Sequence, residues 1–212
     1  HDSSDFGVLN TPETIPYIFK TLKNFSNSCD VHIGPISLGM HFNPYGESLV
    51  NNKKKIRLEM ADSDPRHDHL FSLTWTLAVF IQSINKESKF FTFNSIYGHH
   101  GILNKDNTKR PLYHLNNFLI SLTNSEIFKF NPVNEVYGLK IVLNDKNYYL
   151  FVNSSKQKKE IIIPEINFSN QYKLNLNNYT DIFNNDFSFF NFKNDTSPYT
   201  FEPLEIKFIE DK

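Results

Sequence analysis

Lys89-Phe-Phe-Thr-Phe-Asn-Ser-Ile-Tyr-Gly-His-His-Gly101 decides how this chain is read. An apolar, β-prone run stops at Gly98. A histidine pair follows, and Gly101 closes the turn. The run reads as one buried strand, 89–97, whose C-terminal end delivers polar side chains into a loop. Strands with chemistry at that end are what an α/β barrel looks like in sequence. By alternation, Thr92, Asn94 and Ile96 share one face, while Phe91, Phe93, Ser95 and Tyr97 share the other. The aromatic face should meet helices, which puts the Asn94 amide inside the barrel mouth.

On the N-terminal side, His69 to Asn85 reads as the clearest helix. Leu70, Leu73, Leu77, Ile81 and Ile84 form a stripe, widened by Phe71, Trp75, Val79 and Phe80. A helix this apolar must be covered on much of its surface. Before it, Val31 to Leu38 reads as a strand in which Pro35, lacking an N–H, belongs at a bulge or near the strand's end. A long loop, about 39–68, joins the two. Residues 1–10 read as a polar loop, and Thr11-Pro12 as a helix start with Thr as cap. Pro111 opens a further helix bearing Leu112, Leu115, Phe118, Leu119 and Leu122.

Helix, strand, helix, strand, helix implies parallel strands with right-handed crossovers. From Ile127 onward only strands are expected: 127–131, 136–143, 147–153, 159–163, 171–176, 187–192 and 204–209. Asn144-Asp-Lys146 reads as a hairpin turn. The expected fold is therefore α/β plus all-β. Residues 1–124 are read as the C-terminal part of a (β/α)8 TIM barrel, and 125–212 as a β-sandwich domain. An open doubly wound sheet is the alternative. Chemistry-capable residues follow the same division, since all 8 histidines precede residue 115.

Composition narrows the function classes. Apolar residues make up 39% and aromatic residues 15%, which supports a packed core rather than disorder. With 22 basic against 23 acidic residues and no long run of one sign, nucleic-acid binding by a basic face has no support. No apolar run approaches a membrane span. The single cysteine, Cys29, allows no intrachain disulfide and suits a reducing, cytoplasmic location. The chain begins at His1, and His1-Asp-Ser-Ser-Asp5 reads as the polar exit of an upstream strand. The N-terminal remainder of a longer protein is thus an expected partner.

Asp62-x-Asp64-Pro-Arg66-His67-x-His69 packs two acids, an arginine and two histidines into eight residues. It reads as a substrate-binding or acid/base loop, as a His-x-His pair with nearby carboxylates able to ligate a divalent metal, or as a solvated lead-in to a helix capped by Asp68. His99-His100 follows the 89–97 strand, at the end where barrels build active sites. His1 and Asp5, and His41 and Asn43 after the 31–38 strand, would bring further polar groups to that face. His32 and His114 read as structural. No phosphate loop, Cys-x-x-Cys, His-Glu-x-x-His or Gly-x-Ser-x-Gly occurs, and neither a metal nor another cofactor is expected. Neither strand exit carries the acid that a retaining glycosidase would place there.

Six short motifs occur in order: Gly34-Pro-Ile-Ser-Leu38, Phe42-Asn-Pro44, Asp64-Pro-Arg66, Trp75-Thr-Leu77, Tyr97-Gly-x-x-Gly101 and Pro111-Leu-Tyr-His114. Together they resemble the C-terminal part of the bacterial D-apionate lactonase family, over residues 1 to about 153. The resemblance implies a barrel like those of one glycoside hydrolase clan, an appended β-sandwich, and hydrolysis of the lactone of D-apionic acid. One departure stands out: family members carry a Glu near the position of Ser95. For lactone opening, Asp64 or His67 is the expected base. His1, Asp5, His41, Asn43, Arg66, Asn94, His99 and His100 are the expected substrate-binding groups, with Arg66, Asn94 or His100 able to hold an oxyanion. The substrate class is a small carbohydrate or sugar-acid lactone. A glycoside hydrolase of the same barrel type, or a non-catalytic carbohydrate-binding protein, is the alternative.

Overall fold

The computed structural model describes residues 4–25, 30–38, 64–85, 88–98, 100–162, 166, 168–181 and 199–211. His1, His41, Asn43, His99 and the expected 187–192 strand lie outside them.

The first helix, α1, is Asp5–Phe25. It starts earlier than the sequence predicts because Ser4, not Thr11, caps it. The Ser4 hydroxyl accepts the Gly7 N–H at 3.1 Å, and the Asp5 charge suits the positive end of the helix. Thr11 lies inside, its hydroxyl donating to the Gly7 carbonyl at 3.3 Å. Pro12 and Pro16 each remove a helical donor. Burial of Leu9, with Val8 and Ile15 packed on the same core, holds the helix across them.

Strand β1, Val31–Ile36, lies parallel to β2, Ser88–Phe93. Their register shifts between Ile33 and Ile36, so Pro35 sits at an irregularity where its missing N–H costs no regular ladder bond. Gly34 has φ +145°, and a Cβ there would meet the Thr92 carbonyl oxygen at 2.6 Å. Between the strands in sequence runs α2, Leu70–Ser83, in which every residue is buried. Phe91 and Phe93 of β2 pack on its Phe80, with ring centroids 5.2 and 5.8 Å away.

The predicted single strand 89–97 is broken. Asn94 has φ 44°, a left-handed conformation that turns the chain and that Asn tolerates better than most residues. Beyond it β3, Ser95–Tyr97, leaves β1 and pairs in parallel with β4, Gly101–Leu103. Helix α3, Pro111–Ser121, follows.

The remaining strands are β5 (Glu126–Lys129), β6 (Val136–Leu143), β7 (Lys146–Asn153), β8 (Lys159–Glu160), β9 (Phe168–Leu174), β10 (Thr200–Phe201) and β11 (Ile206–Asp211). Five of them form an antiparallel sheet in the order β5-β6-β7-β11-β9. The β6–β7 hairpin turns on Asn144 and Asp145, both with positive φ (50° and 61°), as the favoured two-residue turn demands.

Both sheet faces carry core residues. Tyr137, Leu139, Ile141, Leu150, Val152 and Ile206 join the cluster that contains Leu73, Leu77 and Ile81 of α2. Val136, Tyr149, Phe151 and Ile209 form a second cluster with Phe201 of β10. This corrects the expected β-sandwich. Among the described residues, a buried helix covers one sheet face, and the other meets only the short β8–β10 ribbon and its flanks. The apolar circumference of α2 is the physical reason: it has a barrel-like layer on one side and this sheet on the other. The architecture is a barrel-like α/β region in the N-terminal 124 or so residues, followed by a β-sheet region.

Candidate functional site

A short 3₁₀ turn, Pro65–Asp68, leads into α2 and touches the start of α1 through Arg66 and the start of β4 through His67. Asp64 caps this turn, its Oδ1 accepting the Arg66 N–H at 2.9 Å. The same carboxylate takes Arg66 Nε at 3.0 Å and Nη2 at 2.7 Å. The second terminal nitrogen of Arg66 reaches Asp5 Oδ1 at 2.9 Å, and Asp5 Oδ2 pairs with Lys156. One ionic chain thus ties the start of α1, the turn before α2 and the loop after β7.

Charge states follow from these contacts. Burial pushes the Asp64 carboxyl up, but hydrogen bonds from the Arg66 side chain and backbone outweigh it and hold the group below the usual carboxylate value. Hydrogen bonds from Lys156 and then Arg66 lower Asp5 as well. Both carboxylates are committed to cations.

His67 is different. It is 1% exposed, and its Nε2 lies 3.0 Å from the Gly101 carbonyl. A carbonyl only accepts, so Nε2 carries the proton and Nδ1 keeps its lone pair. Nδ1 is buried and has no partner. Burial lowers the imidazole below its ordinary value of 6.5, outweighing the Gly101 contact, so the ring is neutral near pH 7. His100 repeats the device: its Nδ1 donates to the Leu38 carbonyl at 3.0 Å, leaving Nε2 as acceptor. The two rings meet edge to face, with centroids 6.3 Å apart.

Asn94 follows the last residue of β2 and lies one residue before β3, the strand that pairs with Gly101. It is 8% exposed, and neither its side-chain oxygen nor its nitrogen has a partner. Its backbone N–H donates to the Ile36 carbonyl at 3.1 Å. The turn beyond it is closed by Gly101 N–H to Gly98 O at 3.0 Å. A buried amide with four unused hydrogen-bonding positions is costly without a ligand.

Asp68 does not cap α2. His69 occupies that position, and Asp68 lies 3.4 Å from Arg110 Nη1. His67 and His69 diverge, since His69 Nδ1 shares a 3.0 Å bond with the Tyr179 hydroxyl. His32 bonds Thr92 Oγ1 at 2.8 Å on the open face of the β1–β2 pair. The roles of the Gly101 and Leu38 carbonyls were invisible in sequence. The Gly98-x-x-Gly101 spacing is the signal that pointed toward the first.

The profile of the family described as "D-apionate lactonase, TIM barrel domain" matches residues 1–124, more than half of the 212. The chain belongs to the D-apionate lactonase family. A curated relative, the D-apionate lactonase of Brucella anthropi, is 29% identical over 119 residues. That alignment covers 53% of this chain and 20% of the relative, so the chain spans about a fifth of the relative's length. Among solved structures, a family 30 glycoside hydrolase endoxylanase from Clostridium papyrosolvens aligns at TM-score 0.46 and 10% identity, covering 71% of this chain and 39% of that one. A family 39 glycoside hydrolase from Bacteroides cellulosilyticus aligns at 0.43 and 8%, covering 68% and 30%.

The family match also corrects the expected placement. It is to the family's barrel domain and lies in the N-terminal part of this chain. It ends at residue 124, short of the expected 153, and does not identify the chain as a C-terminal portion carrying a sandwich. Strand pairing after residue 124 is generic antiparallel sheet, whose alternation carries little family signal.

Proposed function

We propose that this chain contributes the base and a substrate amide to a hydrolase that opens a sugar-acid lactone. Family membership supports a hydrolase of the lactonase type. The observation that carries the residue assignment is the buried, unpartnered Nδ1 of His67, held in one tautomer by the Gly101 carbonyl. In this reading His67 Nδ1 removes a proton from water as the oxygen attacks the lactone carbonyl carbon. The ring C–O bond then breaks, and the proton returns to the departing alkoxide, leaving a hydroxy acid.

Asn94 supplies a donor for the oxyanion or the substrate hydroxyls, its amide being buried and unpartnered. His100 Nε2 accepts from a hydroxyl. Asp64 is a poor proton acceptor, because its oxygens already hold Arg66. It positions the turn that carries His67, and Asp5 and Arg66 belong to the same brace. His1, His41, Asn43 and His99 lie outside the described residues.

The test is a panel of sugar-acid lactones and aryl glycosides on the intact protein. Lactone opening releases acid, and glycosidase action releases the aryl group. The expected result is acid release that His67→Gln reduces by about a hundredfold or more. Aryl release without acid would establish the glycoside hydrolase reading instead, and saturable binding without either product would establish the carbohydrate-binding one.

A further inference from the structure

The turn that carries His67 is short, Pro65–Asp68. It is closed by His67 N–H to the Asp64 carbonyl at 2.9 Å and by His69 N–H to the Arg66 carbonyl at 3.1 Å. A 3₁₀ turn of this length holds little geometry by itself, so its fastenings decide where the imidazole stands. Ser72 Oγ, in the first turn of α2, donates to the His67 carbonyl at 2.7 Å. Two outer fastenings come from beyond residue 124, where the family match ends.

Tyr179 holds the C-terminal end of the turn. Its hydroxyl shares a 3.0 Å bond with His69 Nδ1, and the two ring centroids are 6.0 Å apart. Its half-buried ring packs against the core cluster that contains α2. The segment that presents it follows β9 and is tied down by asparagines. Asn175 N–H donates to Asn178 Oδ1 at 2.8 Å, and Tyr179 N–H donates to the Asn175 carbonyl at 3.0 Å. Asn175 is 5% exposed, and its Nδ2 donates at 3.1 Å to Glu205, itself buried just before β11. The Tyr179 hydroxyl is thus delivered by a turn anchored in the sheet region. At the other end Lys156, after β7, pairs with Asp5, and Asp5 meets Arg66 Nη1 at 2.9 Å.

We infer that the sheet region positions the His67 base, with Tyr179 acting through His69 and Lys156 acting through Asp5 and Arg66. The inference rests on the reading of His67 as the base and gives the second half of the chain a part in the site. Neither residue is catalytic; each holds one end of the turn. Proton transfer makes this matter, because misplacing a catalytic group by about 1 Å costs about a hundredfold in rate. Tyr179 is the stronger of the two. The side chains of Lys156 and Asp5 are 59% and 39% exposed, and exposed ion pairs are weakened by water and salt. The competing account is that Tyr179 only fills the edge of the core. That account predicts lower stability and no change at His67.

The intact protein, with its histidines labelled with ¹⁵N, is followed by NMR beside lactone kinetics. His67 should show one tautomer with a slowly exchanging Nε2 proton. Tyr179→Phe keeps the ring on the core and removes the hydroxyl. It should speed that exchange by about tenfold and lower kcat by about fivefold, with KM unchanged. In a His67→Gln background it should lower kcat no further. Lys156→Gln should act in the same direction and less strongly, and Lys156→Arg, which keeps the charge, should restore wild-type behaviour. Unchanged tautomer and exchange at His67 in Tyr179→Phe overturns the proposal, whatever the kinetics. So does an equal loss of kcat in the His67→Gln background, which marks a structural role alone. The imidazole signals need no substrate. Faster exchange in Tyr179→Phe, in a wild-type protein that opens no lactone, would therefore overturn the lactonase reading and still support the anchoring of His67.

Discussion

His67 Nε2 donates to the Gly101 carbonyl across 3.0 Å, and this bond decides which imidazole nitrogen is free. The carbonyl opens β4, whose parallel partner β3 begins just after Asn94, where φ is 44°. The strand break, the β3–β4 pairing and the free Nδ1 are therefore parts of one local arrangement. It predicts an acid limb set by His67. Because burial lowers this imidazole below 6.5, the base stays neutral to lower pH than a solvated histidine. Lactone opening should hold its rate through pH 6.5 and fall only below it. A pH–rate profile with an acid limb centred above 6.5 would remove His67 as the base.

The same lowering has a stability consequence. The unfolded chain takes up this proton near 6.5, while the folded protein resists it. The contribution of His67 to stability is full above about pH 6.5 and is lost as pH falls from there through the lowered folded value. Urea midpoints measured from pH 8 to 5 should decline over that interval, and less so in His67→Gln.

Asp64→Asn should act mainly on stability. It removes a charged acceptor that is 2% exposed and that binds Arg66 through side chain and backbone. A loss of about 2–3 kcal/mol is expected by denaturant titration. The carboxyl sits below its usual 3.8, so its wild-type contribution is present above about pH 4 and lost as pH falls through the lower folded value. A lactonase rate that collapses in Asp64→Asn while stability is unchanged would assign it chemistry instead.

Asn94→Gly separates binding from folding. Glycine accepts the left-handed backbone without strain, and the lost amide makes no hydrogen bond with the protein. The melting temperature should stay within a few degrees while KM for the lactone rises about tenfold or more. Unchanged KM would show that the amide does not meet substrate.

Gly101→Ala should damage both. A Cβ there would lie 2.5 Å from the Tyr97 carbonyl carbon and 2.8 Å from the Ile96 oxygen, and backbone cannot move aside cheaply. A cost of about 1–3 kcal/mol is expected, with activity lost beyond what unfolding explains as the carbonyl leaves His67. Full activity in a destabilised but folded protein would show that this carbonyl does not set the tautomer.

Much of the fold was legible because its signals are local. The apolar stripe of α2 announced burial over much of its surface, and Asn144-Asp-Lys146 announced its hairpin. The α1 start was misread because Thr11-Pro12 is the louder motif, whereas Ser4 became a cap only once the chain around Leu9 was packed. Asp64 and His67 were singled out together as acid/base candidates from one short segment. Sequence had no means of telling a carboxylate saturated by Arg66 from an imidazole with a free nitrogen.

The sequence by itself determined helices α2 and α3, the β6–β7 hairpin, the clustering of histidine and acid near strand ends, and the family likeness of the first half. These rest on residue type and spacing along the chain. Tertiary structure alone decided that, among the described residues, the buried helix α2 covers one face of the five-stranded sheet, that Asn94 breaks its strand, and that His67 keeps Nδ1 free. Each depends on groups distant in sequence coming together: α2 against β6 and β7, Ile36 against Asn94, and Gly101 against His67. Burial and carbonyl direction, which set a tautomer and a pKa, exist only after those contacts form.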